Sequence, residues 1–146
     1  MDTRVYSILK HKGDNVITAV PDQSVASFAA LLYAYHIGAT PVVDEENHPI
    51  GMMSERDIIH GIIERGTGAL KLPVSALMTP LIATCKRDDK IGDVLEKISM
   101  HRTRHIPVVG EEGKLEGIIS IGDVVQQLLD EAQFEVSSLR TYITSP

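Results

Sequence analysis

The feature that most constrains this fold is a match of the chain to itself. Shifted by 66 positions, Asp57 falls on Asp123, Ser54 on Ser120, Gly51 on Gly117 and Pro41-Val42-Val43 on Pro107-Val108-Val109. Glu45-Glu46 falls on Glu111-Glu112, Thr18 on Thr84 and Asp22 on Asp88, all without a gap. Apolar character agrees too, with Val25 on Ile91, Leu32 on Ile98 and Ile58-Ile59 on Val124-Val125. Taken alone, "GMMSERDII" is a serine followed three residues later by an acid ahead of an apolar run, the mark of a helix capping box. Two unrelated capping boxes would not share these neighbours. A whole supersecondary unit is duplicated, and each unit needs the other to cover its apolar face.

Both copies show one order of elements. A short extended run (16–20, then 81–84) precedes a helix whose apolar residues recur at i, i+3, i+4 and i+7: Val25, Phe28, Ala29 and Leu32, then Ile91, Val94, Leu95 and Ile98. A strand starts at the proline, where a missing N–H is tolerated. "DEENHP" and "GEEGKL" read as hairpin turns, followed by a second strand (50–53, 116–119). The last helix begins at Ser54 or Ser120. Its apolar residues Ile58, Ile59, Ile62 and Ile63 match Val124, Val125, Leu128 and Leu129. The predicted fold is α/β (α+β): two β-α-β-β-α repeats packed about a pseudo-two-fold axis, with an extended C-terminal helix. The expected division is 1–70 for the first motif with its linker, 71–130 for the second and 131–146 for a helical tail. Gly66 is expected to end the first copy's last helix. Leu128, Ala132, Val136, Leu139 and Ile143 continue an apolar stripe beyond what the core needs. That stripe packs either on a partner chain or back over the domain.

The 146 residues are 43% hydrophobic, enough for a sizeable core. A net charge of −6 argues against binding nucleic acid through a basic surface. The one cysteine, Cys85, allows no disulfide within the chain and suits a reducing compartment. "MDTRVYSILKHKGD" lacks the apolar core of a signal peptide, so a cytoplasmic location is expected. Ser24 to Val43 carries no Asp, Glu, Lys or Arg and has nearly the length of a membrane span. It is interrupted by His36, Gly38 and Pro41, and reads as a buried helix running into a strand; no membrane contact is expected.

"VSALMTPLIATC", "RHIPVV" and "GIISIGDVV" resemble segments of cystathionine-β-synthase-type (CBS) motifs, and two in tandem resemble a CBS pair, or Bateman module. The resemblance covers about residues 5–130. The first copy departs from it at its start, where "VYSILKHKGDNVIT" replaces the lead-in seen as Leu77-Met78-Thr79-Pro80. The resemblance implies a sensor rather than an enzyme, with no required cofactor. It implies adenosine-containing ligands in clefts between the motifs: AMP foremost, with ADP, ATP, S-adenosylmethionine and NAD(H) as others. It also implies a homodimer acting on a protein partner that the sequence does not identify.

The same resemblance makes Asp57 and Asp123 acceptors for ribose hydroxyls, a role that suits a carboxylate facing two vicinal O–H groups. Ser54 and Ser120, with the first-turn N–H groups, cap the helix, hold phosphate, or both. The alternative is that both pairs merely close capping boxes. Arg104 and His105 stand just before Pro107, where the resemblance places phosphate, and an arginine fork binds phosphate in a bidentate manner. A solvated helix end is the other reading. Arg56 opposes the helix dipole; either a bound anion or a carboxylate such as Glu55 would offset that conflict. An adenine slot would draw on Ile17, Ala19 and Ala39-Thr40-Pro41 in the first copy and Ile82, Ile106 and Pro107 in the second. Thr18 and Thr84, paired in the repeat, complete the candidates.

Other chemistry has less support. His101 and His105 stand at i and i+4 but lack the glutamate of H-E-x-x-H. Cys85 falls on Ala19 in the repeat and reads as a small core residue. The leading function is a regulatory module that signals by conformational shift. A constitutive dimeric scaffold with no physiological ligand and an enzyme using the cleft are the alternatives; convergent groups of shifted pKa would favour the enzyme.

Overall fold

The structure, a computed structural model, describes residues 3–13 and 15–144. An N-terminal helix, α1 (Val5–Lys12), precedes the first copy. That copy runs α2 (Val25–Tyr35), β1 (Ala39–Val43), β2 (Pro49–Ser54) and α3 (Glu55–Arg65). Two 3₁₀ segments, Gly66–Lys71 and Val74–Ala76, lead to β3 (Thr79–Pro80). The second copy runs α4 (Ile91–His101), β4 (His105–Val109), β5 (Leu115–Ser120) and α5 (Ile121–Thr144). The first residues of paired elements keep the 66-residue offset.

Local chemistry explains the boundaries. The Ser24 hydroxyl caps α2 by accepting from the Ser27 N–H, and Val25, Phe28 and Leu32 turn inward. Both α2 and α4 end on a left-handed residue, His36 (φ 53°) and Arg102 (φ 51°), which turns the chain into the following strand. Gly66 ends α3 at φ 74°, as its sequence position predicts. The hairpins are antiparallel and superimposable in register, Ala39↔Ser54 in one and His105↔Ser120 in the other, with an irregularity between Val42 and Val43 and between Val108 and Val109. Asn47 (φ 65°) and Gly113 (φ 73°) hold matching turn positions, and both residue types tolerate that conformation.

The extended runs differ from expectation. They reduce to single parallel bridges, Ala19↔Val42 and Cys85↔Val108. Each bridge is held by two bonds, from the Ala19 N–H to the Pro41 carbonyl (3.0 Å) and from the Val43 N–H to the Ala19 carbonyl (2.9 Å) in the first copy. Turns follow one residue later, at residues 21–23 and 87–89, so only one residue of each run lies in register.

Two cores form, and each borrows from outside its own repeat. Val5, Ile8 and Leu9 of α1 pack with Cys85, Ile91, Val94, Ile106 and Ile119 of the second copy. Val74, with Leu70, Leu72, Leu77 and Met78 around it, packs with Val25, Phe28, Val42 and Met53 of the first copy. The segment leading into each copy thus completes the other copy's core. Close approach requires glycine on the second hairpin strands. A Cβ on Gly117 would lie 2.7 Å from Leu9 Cδ2, and one on Gly51 would lie 2.7 Å from the Thr79 carbonyl oxygen.

α5 continues well past the repeat. Phe134 (74% exposed), Leu139 (62%) and Ile143 (76%) show that the stripe does not fold back over the domain. Among the described residues, no helix is long and apolar enough to cross a membrane.

Candidate functional site

The N-terminus of α3 and the chain before β4 face each other across a cleft of about 370 Å³. Ser54, Glu55, Arg56 and Asp57 form one wall. His101 to His105 and Pro107 form the opposite wall, and residues 79–83 run along the floor with Gly38, Ala39 and Met52. β3 pairs with β2 at Met52↔Thr79 and Gly51↔Pro80, which brings the second copy's lead-in under the first copy's hairpin.

Asp57 is the third residue of α3 and closes a reciprocal capping box. Its Oδ2 accepts from the Ser54 N–H (2.8 Å) and from the Ser54 hydroxyl (3.0 Å), while Ser54 Oγ accepts from the Asp57 N–H (3.4 Å). Among the described residues Oδ1 has no hydrogen-bond partner. Capping therefore uses one carboxylate oxygen and leaves the other for a second donor. Across the cleft, the left-handed turn at Arg102 and a hydrogen bond from the Thr103 hydroxyl to the His105 carbonyl (3.0 Å) shape the wall. Arg56, Arg102 and Arg104 make no ion pair and no side-chain hydrogen bond among the described residues. Burial holds His105 below the usual imidazole value. Lys12 and Arg104 push the same way, and Asp123 opposes them. Burial thus favours the neutral form of His105.

The equivalent junction of the second copy is arranged differently. Asp123 Oδ2 accepts from the Ser120 N–H (2.9 Å), and Ser120 Oγ accepts from the Asp123 N–H (3.1 Å). The same Oδ2 accepts from the Lys12 ammonium at 2.7 Å, and that ammonium also donates to the Ile118 carbonyl at 2.9 Å. Burial alone would raise the Asp123 carboxyl, but the bonds from Lys12 and Ser120 outweigh it and leave the pKa below its ordinary value.

The family model for the CBS domain matches this chain twice, at residues 7–64 and 74–130. The chain belongs to the CBS-domain family. Its tandem CBS copies are similar to a 17.7 kDa protein of Acidianus ambivalens, 31% identical over 130 residues that span 89% of this chain and 76% of that one. The crystal structure of the CBS-domain protein ATU1752 of Agrobacterium tumefaciens superimposes with a TM-score of 0.79 at 38% identity, covering 86% of this chain and 98% of that one. The CBS domain pair of protein MJ0100, crystallised in complex with 5-methylthioadenosine and S-adenosyl-L-methionine, superimposes with a TM-score of 0.76 at 25% identity, covering 86% and 99% of the two chains.

Within the CBS pair, the sequence candidates separate. Ser54, Arg56, Asp57, Ala39, Arg104, His105 and Pro107 come together in the cleft, with Ile82. Ser120 and Asp123 occupy the second junction with Lys12. Ala19 and Ile106 are buried in the two cores and do not line the cleft. Pro41 is buried on β1, where its carbonyl accepts from Ala19. The Thr84 carbonyl accepts from Lys97 Nζ (2.8 Å), and Thr18 also lies outside the cleft lining. Cys85 is a core residue, with its thiol pushed up to about 12 by burial first and by Asp89 next. Thr79, Leu81 and Thr103 line the cleft without having been singled out from the sequence. Only the "LMTP" motif points to the first of them, Thr79.

Proposed function

We propose that this CBS pair is a regulatory sensor that binds an adenosine-containing ligand in the Asp57 cleft and passes its occupancy to a protein partner. AMP is the foremost ligand, with ADP, ATP and NAD(H) as others. The observation that carries this reading is one cleft holding both a carboxylate whose second oxygen is spare, Asp57, and three arginines, neither that oxygen nor the arginines having a partner among the described residues. Ribose hydroxyls donate to the free oxygen of Asp57. Phosphate takes charge-assisted bonds from Arg104 and its neighbours and gains from the dipole at the start of α3. Adenine lies against Ala39, Ile82 and Pro107. The complex of the related MJ0100 pair with two adenosine-containing molecules supports the ligand class.

Both copies line the cleft, so a ligand touching both walls favours one relative arrangement of the two, by as much as its affinity for those arrangements differs. The exposed stripe of α5 supports a homodimer in which two such helices cover one another. A buried cysteine in no disulfide fits a reducing cytosol.

A thermal-shift screen with AMP, ADP, ATP, NAD(H), S-adenosylmethionine and adenosine tests the reading. A ligand at 100 times its Kd adds about 2.7 kcal/mol, or roughly 5–10 °C in Tm for a chain of this length. If none of them raises Tm at millimolar concentration, the sensor reading gives way to the scaffold.

A further inference from the structure

The two junctions of the repeat differ, among other side chains, in one that arrives from outside both hairpins. The 66-residue offset places Asp123 on Asp57, Ser120 on Ser54, Ile118 on Met52 and Lys12 on Met78. Met78 packs against the first core, with its sulfur 2.9 Å from where a Gly51 Cβ would stand, and no cation pairs with Asp57 among the described residues. Lys12 instead spans Asp123 and the Ile118 carbonyl. It does not hang from a loose arm. It sits in the last turn of α1, whose Val5 and Leu9 are buried and whose first N–H groups donate to the Asp89 and Arg87 carbonyls (2.9 and 3.0 Å). A cation at a helix C-terminus is also favoured by the dipole.

We infer that Lys12 is a built-in occupant of the second junction, filling with its ammonium the place that a nucleoside's hydroxyls would take at Asp123, so that each chain binds one nucleotide. The inference rests on reading Asp57 as the ribose acceptor. A charge-assisted bond is roughly twice as strong as one between neutral groups. A neutral ribose hydroxyl therefore competes poorly for a carboxylate already holding an ammonium 2.7 Å away. The buried face of the helix carrying Lys12 fixes the root of that side chain beside Asp123. This device lies in the stretch where the first copy departs from the lead-in of the second, "KHKGD" against "LMTP". The departure thus accounts for the different surroundings of the two aspartates, whose bonds to their N-cap serines match.

Calorimetric titration with AMP, following the number of sites per chain, tests this directly. Wild type should bind one AMP and Lys12→Met two. The second site should disappear in Lys12→Met/Asp123→Ala, whereas Lys12→Met/Asp57→Ala should keep one. Affinity at the Asp123 junction should rise about fivefold when Lys12 is replaced, the scale of a partly exposed ion pair. Two sites in wild type, or a single site in Lys12→Met, would overturn the inference. If wild type binds no AMP but Lys12→Met binds one that Asp123→Ala removes, the inference stands and the Asp57 reading fails; if neither protein binds, both fail. Lys12→Gln, which keeps a polar stem of similar length, guards against misfolding. If neither Lys12 variant shows a cooperative unfolding transition, Lys12 holds the fold rather than a site, and the inference falls.

Discussion

Lys12 and Met78 are equivalent residues of the repeat with opposite consequences: one places an ammonium 2.7 Å from Asp123, the other a thioether against Gly51. The lead-in segments that carry them cross to complete the opposite core, so this difference decides whether a cation from the lead-in reaches the aspartate at the start of α3 or α5.

The Lys12–Asp123 pair gives a pH signature. The folded-state pKa of Asp123 is depressed, because the bonds from Lys12 and Ser120 outweigh the opposing effect of burial. A depressed carboxylate contributes stability that is present above its unfolded value, about 3.9, and is lost as pH falls through the lower folded value. The stability difference between wild type and Asp123→Asn should therefore be constant from pH 5 to pH 7 and shrink below about pH 4. With side chains 35% and 25% exposed, the pair is partly screened, so Lys12→Met should cost about 1 kcal/mol or less at pH 7. Urea unfolding at pH 7 and pH 3 measures both effects.

Gly51→Ala and Gly117→Ala should both destabilise the chain, and Gly51→Ala more. The new methyl would meet the backbone carbonyl of Thr79 in the first case and the end of the Leu9 side chain in the second. A side chain rotates aside more readily than a backbone moves. Overpacking costs about 1–3 kcal/mol, with Gly51→Ala expected at the upper end. Thermal unfolding of the two variants should rank them in that order.

How far could the sequence be read? The hairpins and α2 to α5 were legible because their signals are local: proline-started strands, acidic turns, and apolar spacing around Phe28 and Val94. The helix ending at Gly66 was legible for the same reason. The extended runs were overread, since Ala19 and Cys85 each make one bridge before the chain turns. Nothing local announces that α1 serves the second core, because Leu9 meets Gly117 across more than a hundred residues. Lys12 was invisible as a partner of Asp123 for that reason too. The opposed walls of the cleft were legible in part. Asp57 and Arg104 stood out by repeat and by charge, whereas the inward turn of Ala19 and Ile106 depends on which strand face meets the core.

Arg104→Ala should weaken AMP about tenfold or more and adenosine much less. A charge-assisted bond contributes roughly 1.5–3 kcal/mol when reasonably desolvated. Adenosine carries the ribose and base but no phosphate. Competition of both ligands against a fluorescent adenine nucleotide checks the split. Equal losses would mean that Arg104 supports the fold or the base pocket.

Light scattering should give twice the 16.0 kDa chain mass at micromolar concentration. Val136→Glu/Leu139→Glu, on the exposed stripe of α5, should shift the protein to monomer while leaving helix content unchanged. A wild-type monomer would remove the reason given for that stripe.

Nucleotide binding through Asp57 is decided by AMP titration of wild type, Asp57→Ala and Asp123→Ala side by side. Both variants lose the carboxylate that accepts from the N-cap serine N–H, and Asp123→Ala loses the Lys12 pair as well, so it controls for destabilisation of the chain. Wild type and Asp123→Ala should bind saturably, and Asp57→Ala at least tenfold more weakly. Equal affinity in all three proteins, or loss in Asp123→Ala alone, would contradict binding through Asp57.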